Sequence, residues 1–342
     1  EYIASIAGLI LNITSYGAII LLVTYTQRYL TALAFNIVVE VLLNLWISWY
    51  VEKKYPFLHE MRKEKSSPHL TSRIMKDLKS LFISRVSEKM LNCTDNLIIS
   101  GFIGVATVGR YANYSMITQA IINILTILAN TIQPTIGDYF TEKNYRRNYE
   151  ILRQITFAFF CISSVVAVGL FSLITPFVRD IWLGPSYELG WGTAVLCIVV
   201  LMVRIMGLPL NMVMGVTGLF EKEKNVGASS AILNLVVSLA LVKPYGMTGV
   251  LLGTLVSYLL QICYRYIIFV RDFLQMREEA LRYARDLGEY LAVMAAEVAL
   301  MQKVVPIGYG NGGMVLFCIC FLLCILVPLA LDAVFFGRGW RL

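Results

Sequence analysis

Between Arg85 and Ser100 the chain reads RVSEKMLNCTDNLIIS, in which Arg85, Glu88, Lys89, Asn92, Asp95 and Asn96 recur at helical spacing and share one helix face. The two cations can hold an anion such as a phosphate, the carboxylates can balance them or take up an ion, and the amides can bind hydroxyls. An ionisable side chain at the centre of a bilayer costs about 2.5–3.5 kcal/mol, so this face does not look onto lipid; it lines a cavity. A second polar stripe follows, Gln119, Asn123, Thr126, Asn130 and Gln133, advancing by four, three, four and three residues. Its rival reading is interhelical glue, at about 0.6 kcal/mol per contact.

Two further residues carry charge into apolar stretches. Arg204 lies mid-span, followed at helical spacing by Gly207, Asn211, Gly215 and Gly218, with Pro209 placed to kink the helix. It admits a buried ion pair with Glu40 or Asp95, or an anion-binding role in a central cavity. Glu40 lies in a run Asn36, Glu40, Asn44, Ser48 that repeats every four residues. It is either a bundle-holding contact or an ion-coupling site.

The elements that position these residues are membrane helices. The chain of 342 residues is 58% hydrophobic and only 15% charged, with mean hydropathy +0.70, which excludes an ordinary soluble protein. Apolar runs long enough to span a bilayer core of about 30 Å fall near 3–25, 29–50, 81–104, 111–137, 151–175, 191–217, 226–243, 247–270, 287–305 and 314–336. Ten helices are expected, in an all-α polytopic membrane fold. Spans 151–175 and 314–336 are apolar on nearly all sides and are expected to form peripheral scaffold. The loop PFVRDIWLGPSYELG at 176–190 has the Pro, Gly, Trp and Tyr of an interfacial segment.

The net charge of +7 does not signal nucleic acid, because the cations alternate with the spans. Eight Lys and Arg lie in 51–79, four in 142–153, two in 221–225, five in 265–285 and two in 338–341, all in every second connection. The positive-inside rule puts these segments, and both ends of the chain, in the cytoplasm. The longest of them is a basic linker along anionic headgroups. Seven cysteines sit in apolar helices without a CxxC pair and read as packing residues. The two histidines, His59 and His69, share the basic loop, so neither a metal site nor a histidine-based catalytic set can be drawn. Ile10-Leu11-Asn12 and Ile232-Leu233-Asn234 occupy matching places in two hairpins, a sign of duplicated lobes. With a start at Glu1 rather than Met, this leads to the expectation that helices upstream are missing.

The stretches LNCTDNLIISGFIGVATVGRYANYSMI (91–117), GLFEKEKN (218–225) and NLVVSLALVKPYGMTGVLLGTLVS (234–257) together resemble the Wzx-type polysaccharide and O-antigen flippases of the multidrug/oligosaccharidyl-lipid/polysaccharide (MOP) exporter superfamily. The most specific part is Thr94-Asp95-Asn96-Leu97-Ile98-Ile99-Ser100 followed by Gly109, Tyr111, Asn113 and Tyr114. The likeness runs over most of the chain. That family has fourteen helices, two six-helix lobes and two more at the C-terminus, so the ten spans here correspond to the last ten. The implied division is 1–50, the last hairpin of the first lobe; 51–80, the linker; 81–270, the second lobe; and 271–342, two additional helices with a basic tail.

The resemblance implies a transporter without catalytic residues, cofactor or metal, in a bacterial inner membrane. It moves an undecaprenyl-pyrophosphate-linked sugar or oligosaccharide by alternating access, as part of lipopolysaccharide or other polysaccharide export. Expected partners are the lipid-linked oligosaccharide, membrane lipids and the polysaccharide assembly machinery, with no nucleic acid. On this reading Arg85, Lys89, Arg204, Asn92, Gln119, Asn123 and Asn130 bind substrate, while Glu40, Glu88 and Asp95 couple to an ion or balance charge. The family usually carries fewer charges ahead of its TDN element than Arg85–Lys89, so nothing carries over for Glu88 and Lys89. Two alternatives stand beside it: an ion-coupled multidrug exporter of the same superfamily, whose cavity would be dominated by acids, and a membrane enzyme of envelope polysaccharide synthesis.

Overall fold

Apolar runs of this length become helices because a backbone in lipid must satisfy its own hydrogen bonds. The computed structural model describes residues 15, 17–27, 29–54, 68–141, 145–217, 220–271, 277–304 and 313–336. Among them no strand occurs, and the fold is an all-α polytopic membrane one. Six helices are long and apolar enough to cross a membrane, alongside a shorter apolar one. The helices are α1 (Gly17–Thr26), α2 (Tyr29–Lys54), α3 (Pro68–Phe102), α4 (Val105–Thr141), α5 (Tyr145–Pro176), α6 (Trp191–Val216), α7 (Phe220–Phe269), α8 (Arg277–Val304) and α9 (Gly313–Phe336). Ile10–Asn12 of the internal repeat, His59 and residues 55–67 of the basic linker lie outside the described residues.

The chain divides into two units, Glu1–Ile74 and Met75–Leu342. Within the first, α2 is exposed along most of its length, and Trp46 stacks on Tyr50 with centroids 5.7 Å apart. Lys53 and Lys54 sit over the Trp49 and Tyr50 rings. Basic residues over aromatic ones at the end of an apolar helix suit a membrane interface.

The second unit is built around α5 and α6. Of the spans, α6 is the most thoroughly buried, packing on α4, α5 and α7. The expectation that 151–175 is peripheral does not hold: α5 packs against α6, α8 and α9, and Phe159 and Phe160 are buried in the core. An all-round apolar helix fits a protein interior as well as lipid, so hydropathy could not separate the two. Contacts with α8 fix its place. Phe160 stacks on Tyr290 with centroids 4.5 Å apart, Thr156 Oγ1 lies 3.1 Å from the Tyr283 hydroxyl, and Arg153 Nε donates to Asp286 at 2.7 Å.

Although helical on both sides, α7 reverses at Gly246, whose φ of 58° and ψ of −136° interrupt the helix. L side chains rarely adopt that φ, and Pro244 just before it also breaks helical bonding. The two arms match the spans 226–243 and 247–270. They approach closely: Ser238 Oγ donates to the Val250 carbonyl at 3.2 Å, and a Cβ at Gly253 would press on the Ser238 side chain and on backbone of the facing arm. Gly253→Val should therefore separate the arms and cost about 1–3 kcal/mol. The expected readout is a lower thermal unfolding midpoint of the purified protein, together with loss of any function that needs the adjacent Thr254.

Candidate functional site

Between α3, α4, α6 and the second arm of α7 lies a cavity of about 660 Å³. Lys89, Asp95, Gln119, Asn123 and Arg204, which the sequence places on three separate helices, all line it. Lys89, Asp95 and Asn96 of the α3 face and the first half of the α4 stripe thus do share one space.

Arg204 is held from two sides. Its Nη1 donates to Gln119 Oε1 at 3.2 Å, and its guanidinium lies over the Tyr258 ring, 5.3 Å from the centroid. Gln119 Nε2 in turn donates to Asn123 Oδ1 at 2.8 Å, so one turn of α4 orients the arginine through its amide oxygen. An amide and a ring anchor a guanidinium without neutralising it, and a guanidinium carries five N–H donors. The ion pair weighed for Arg204 is absent among the described residues: no carboxylate lies within ion-pair distance of it.

Asp95 is buried and anchored differently. The Thr254 hydroxyl lies 2.9 Å from both carboxylate oxygens and donates to them, and Asn234 Nδ2 donates to Thr254 Oγ1 at 2.9 Å. This relay joins α3 to both arms of α7. Asn234 is wholly buried, and its Oδ1 has no partner. Lining residues therefore include two cations, Lys89 and Arg204, against one acid, Asp95.

Other residues of the TDN…GxYxNY stretch divide their tasks. Tyr111 lines the cavity; Asn113 Nδ2 donates to its own helix at Gly109; Tyr114 is fully buried and accepts a hydrogen bond from the Leu189 N–H at 3.3 Å, tying down the 183–190 loop. The rest of the α4 stripe leaves the cavity. Thr126 Oγ1 donates to the Ile122 carbonyl, Asn130 is exposed and does not line the cavity, and the Gln133 amide abuts Gly215 of α6. Glu40 belongs to the first unit, where it is exposed. Arg85, Glu88 and Asn92 lie on α3, but their side chains are outside the described residues.

Sequence reasoning missed Thr254 and Tyr258 and read Asn234 only as a repeat marker. The available signal was the recurrence of polar residues within apolar arms, Asn234 with Ser238 and Thr254 with Tyr258, each pair four apart on one face. A second cavity, about 350 Å³, is apolar and lies where Ile117 and Ile121 of α4 meet α5, Phe177 and Phe317 and Phe321 of α9.

Comparison with known proteins agrees with this architecture. The family model described as "Polysaccharide biosynthesis protein" matches residues 4–140, which include α3 and nearly all of α4. A solved structure, "Lipid II flippase MurJ, inward closed conformation", superposes with a TM-score of 0.66 over 99% of this chain and 68% of that one. The fold is similar to that flippase's. At 14% identity the likeness is one of fold. No curated protein matches the chain.

Proposed function

We propose that the chain is a flippase of the MOP exporter superfamily, of the Wzx type, working in a bacterial inner membrane with its basic connections and both ends in the cytoplasm. Its substrate is an undecaprenyl-pyrophosphate-linked sugar or oligosaccharide, moved by alternating access without a bond made or broken. One observation carries the reading: a cavity of about 660 Å³ in a unit with membrane-spanning helices gathers Lys89 and Arg204 beside the amides of Gln119 and Asn123. The family match to polysaccharide biosynthesis proteins and the flippase-like fold support it.

Each group has work suited to its chemistry. A diphosphate entering a low-dielectric slab needs cations that desolvate it in exchange, and the free N–H groups of a guanidinium fit phosphate oxygens in pairs. Arg204, braced by Gln119 and Tyr258, is the fixed member of the pair. Lys89, exposed on α3, is the more accessible one. Asn123 and Gln119 present amides to sugar hydroxyls, and Arg85 and Asn92 extend the same face of α3 towards the basic linker. Asp95 balances the cations or couples their release to an ion. The apolar cavity against α9 offers a polyprenyl chain a surface of its own kind.

Transbilayer movement of a short-chain polyprenyl-diphosphate saccharide in vesicles containing the full chain is the experiment that tests the proposal. Movement above that of empty vesicles is expected; none, with correctly inserted protein, counts against it.

A further inference from the structure

Away from the cavity, Glu297 of α8 and Asp332 of α9 are almost completely buried, at 2% and 3% exposure. Ser164 Oγ of α5 donates to Glu297 Oε2. The other oxygen of Glu297 has no hydrogen-bond partner, and Asp332 has only the weakly donating Cys161 thiol of α5 beside it. The two carboxyls interact electrostatically with each other, and Cys161 of α5 interacts with both. Tyr290 of α8 interacts electrostatically with Cys161 as well. Among the described residues, no lysine, arginine or histidine acts on either carboxyl.

The surroundings do not compensate. Ser163, the neighbour of Ser164, is turned to the sulfurs of Met202 and Met294, and Val168, Leu173, Met301, Cys320 and Cys324 form an apolar cluster between α5, α8 and α9. A buried carboxylate without a cation carries a desolvation penalty of several kcal/mol. Two facing one another add repulsion. Two carboxyls buried to this depth with a hydroxyl, a thiol and no cation beside them are accommodated by a bound positive charge. The described residues offer no group of three or more His, Cys, Asp or Glu that could hold a metal ion, whereas a proton needs only one oxygen.

We propose that Glu297 and Asp332 form a proton-binding site, separate from the cavity, which holds the last two helices of the chain against α5. With the proton present, one carboxyl can donate and the pair carries at most one charge. Without it, two interacting negative charges are buried beside α5, and α8 and α9 loosen from it. Because α5 also packs on α6, which carries Arg204, the site lets proton availability bias the cavity-forming helices. The device is independent of which lipid the cavity takes.

Two cysteines of α9 supply the test, since Cys324 is buried at this interface and Cys318 on the same helix is exposed. In the purified full chain, maleimide labelling of each is followed by peptide mass spectrometry across pH. With labelling kept between about pH 5.5 and 7.5, below the ordinary thiol range of about 8.5, both thiolate fractions rise in proportion, and the ratio of Cys324 to Cys318 divides out that dependence. The ratio is expected to rise severalfold with pH in the unmodified chain, and to stay low and flat in Glu297→Gln with Asp332→Asn, whose neutral amides imitate the protonated pair. A flat ratio in the unmodified chain overturns the proposal, as does a pH-dependent one in the double variant. A ratio that follows sodium at fixed pH also overturns it, by assigning the site to a metal cation. Infrared spectroscopy of the unmodified chain gives a check that needs no variant to fold: a buried carboxylic-acid carbonyl band that exchanges with deuterium only slowly is expected, and its absence at neutral pH contradicts the site.

Discussion

Arg204→Ala is expected to weaken binding of a polyprenyl diphosphate by roughly 10- to 100-fold, the equivalent of about 1.5–3 kcal/mol for a hydrogen bond to a charged group. Transport should fall at least as far, with the protein still inserted and folded. Folding is spared because the guanidinium makes its hydrogen bond and ring contact to an amide and an aromatic ring rather than to a carboxylate: removing it leaves Gln119 bonded to Asn123 and Asp95 still bonded to Thr254. Had Arg204 been one half of a buried ion pair, the same change would be expected to cost about 3–5 kcal/mol of stability. The variant thus separates the two roles that its mid-span position allows. Arg204→Lys keeps the charge and loses the paired geometry, so its affinity should fall between the two, and its preference for diphosphate over monophosphate should shrink. Equal binding of diphosphate and monophosphate by the unmodified chain would contradict the role given to this residue.

The second large effect has the opposite sign for binding and the same sign for transport. Asp95→Asn removes the one acid among the described lining residues and leaves Lys89 and Arg204 unopposed. The asparagine carbonyl can still accept from Thr254, so the relay through Asn234 to both arms of α7 survives and stability should change by less than about 1 kcal/mol. An anionic lipid should then bind more tightly and leave more slowly. Affinity rises, turnover falls, and the split is measured by equilibrium binding beside a transport rate. A structural role alone would lower both together, and a charge-neutral role would move neither. Asp95→Leu is a harsher change, because it leaves Thr254 without its carboxylate in a buried site.

The residues of the cavity were legible because intramembrane charge is costly. Lys89, Asp95, Gln119, Asn123 and Arg204 each stood out as polar at helical spacing inside an apolar run, and all five line one space. What the sequence could not supply was pairing across helices. Asp95 and Thr254 are 159 positions apart, and nothing local to either points to the other. Periodicity also overextended the α4 stripe. Helical spacing puts residues on one face, but a helix of 37 residues outruns a cavity, so Asn130 falls beyond it.

The fold was legible to a similar depth. The all-α membrane architecture and the division of α7 into spans 226–243 and 247–270 followed from hydropathy, whereas Pro244 and Gly246 at the break were passed over. The central place of α5 did not, since an apolar surface suits lipid and protein equally and only its partners decide. Glu297 in span 287–305 and Asp332 in the span 314–336 read as scaffold were both passed over, although an ionisable residue at membrane depth is itself a signal. Their meaning depends on α5, α8 and α9 meeting, which the sequence does not state.

The most direct measurement is transport by the chain itself, with the headgroup varied. Vesicles containing the full chain are loaded with a fluorescent short-chain polyprenyl-diphosphate saccharide, and the fraction reaching the opposite leaflet is followed by an impermeant quencher. Faster movement than in empty vesicles is predicted, abolished by Arg204→Ala and absent for the same lipid with an uncharged headgroup. Movement that is indifferent to both the phosphates and Arg204, or no movement by correctly inserted protein, would contradict the account.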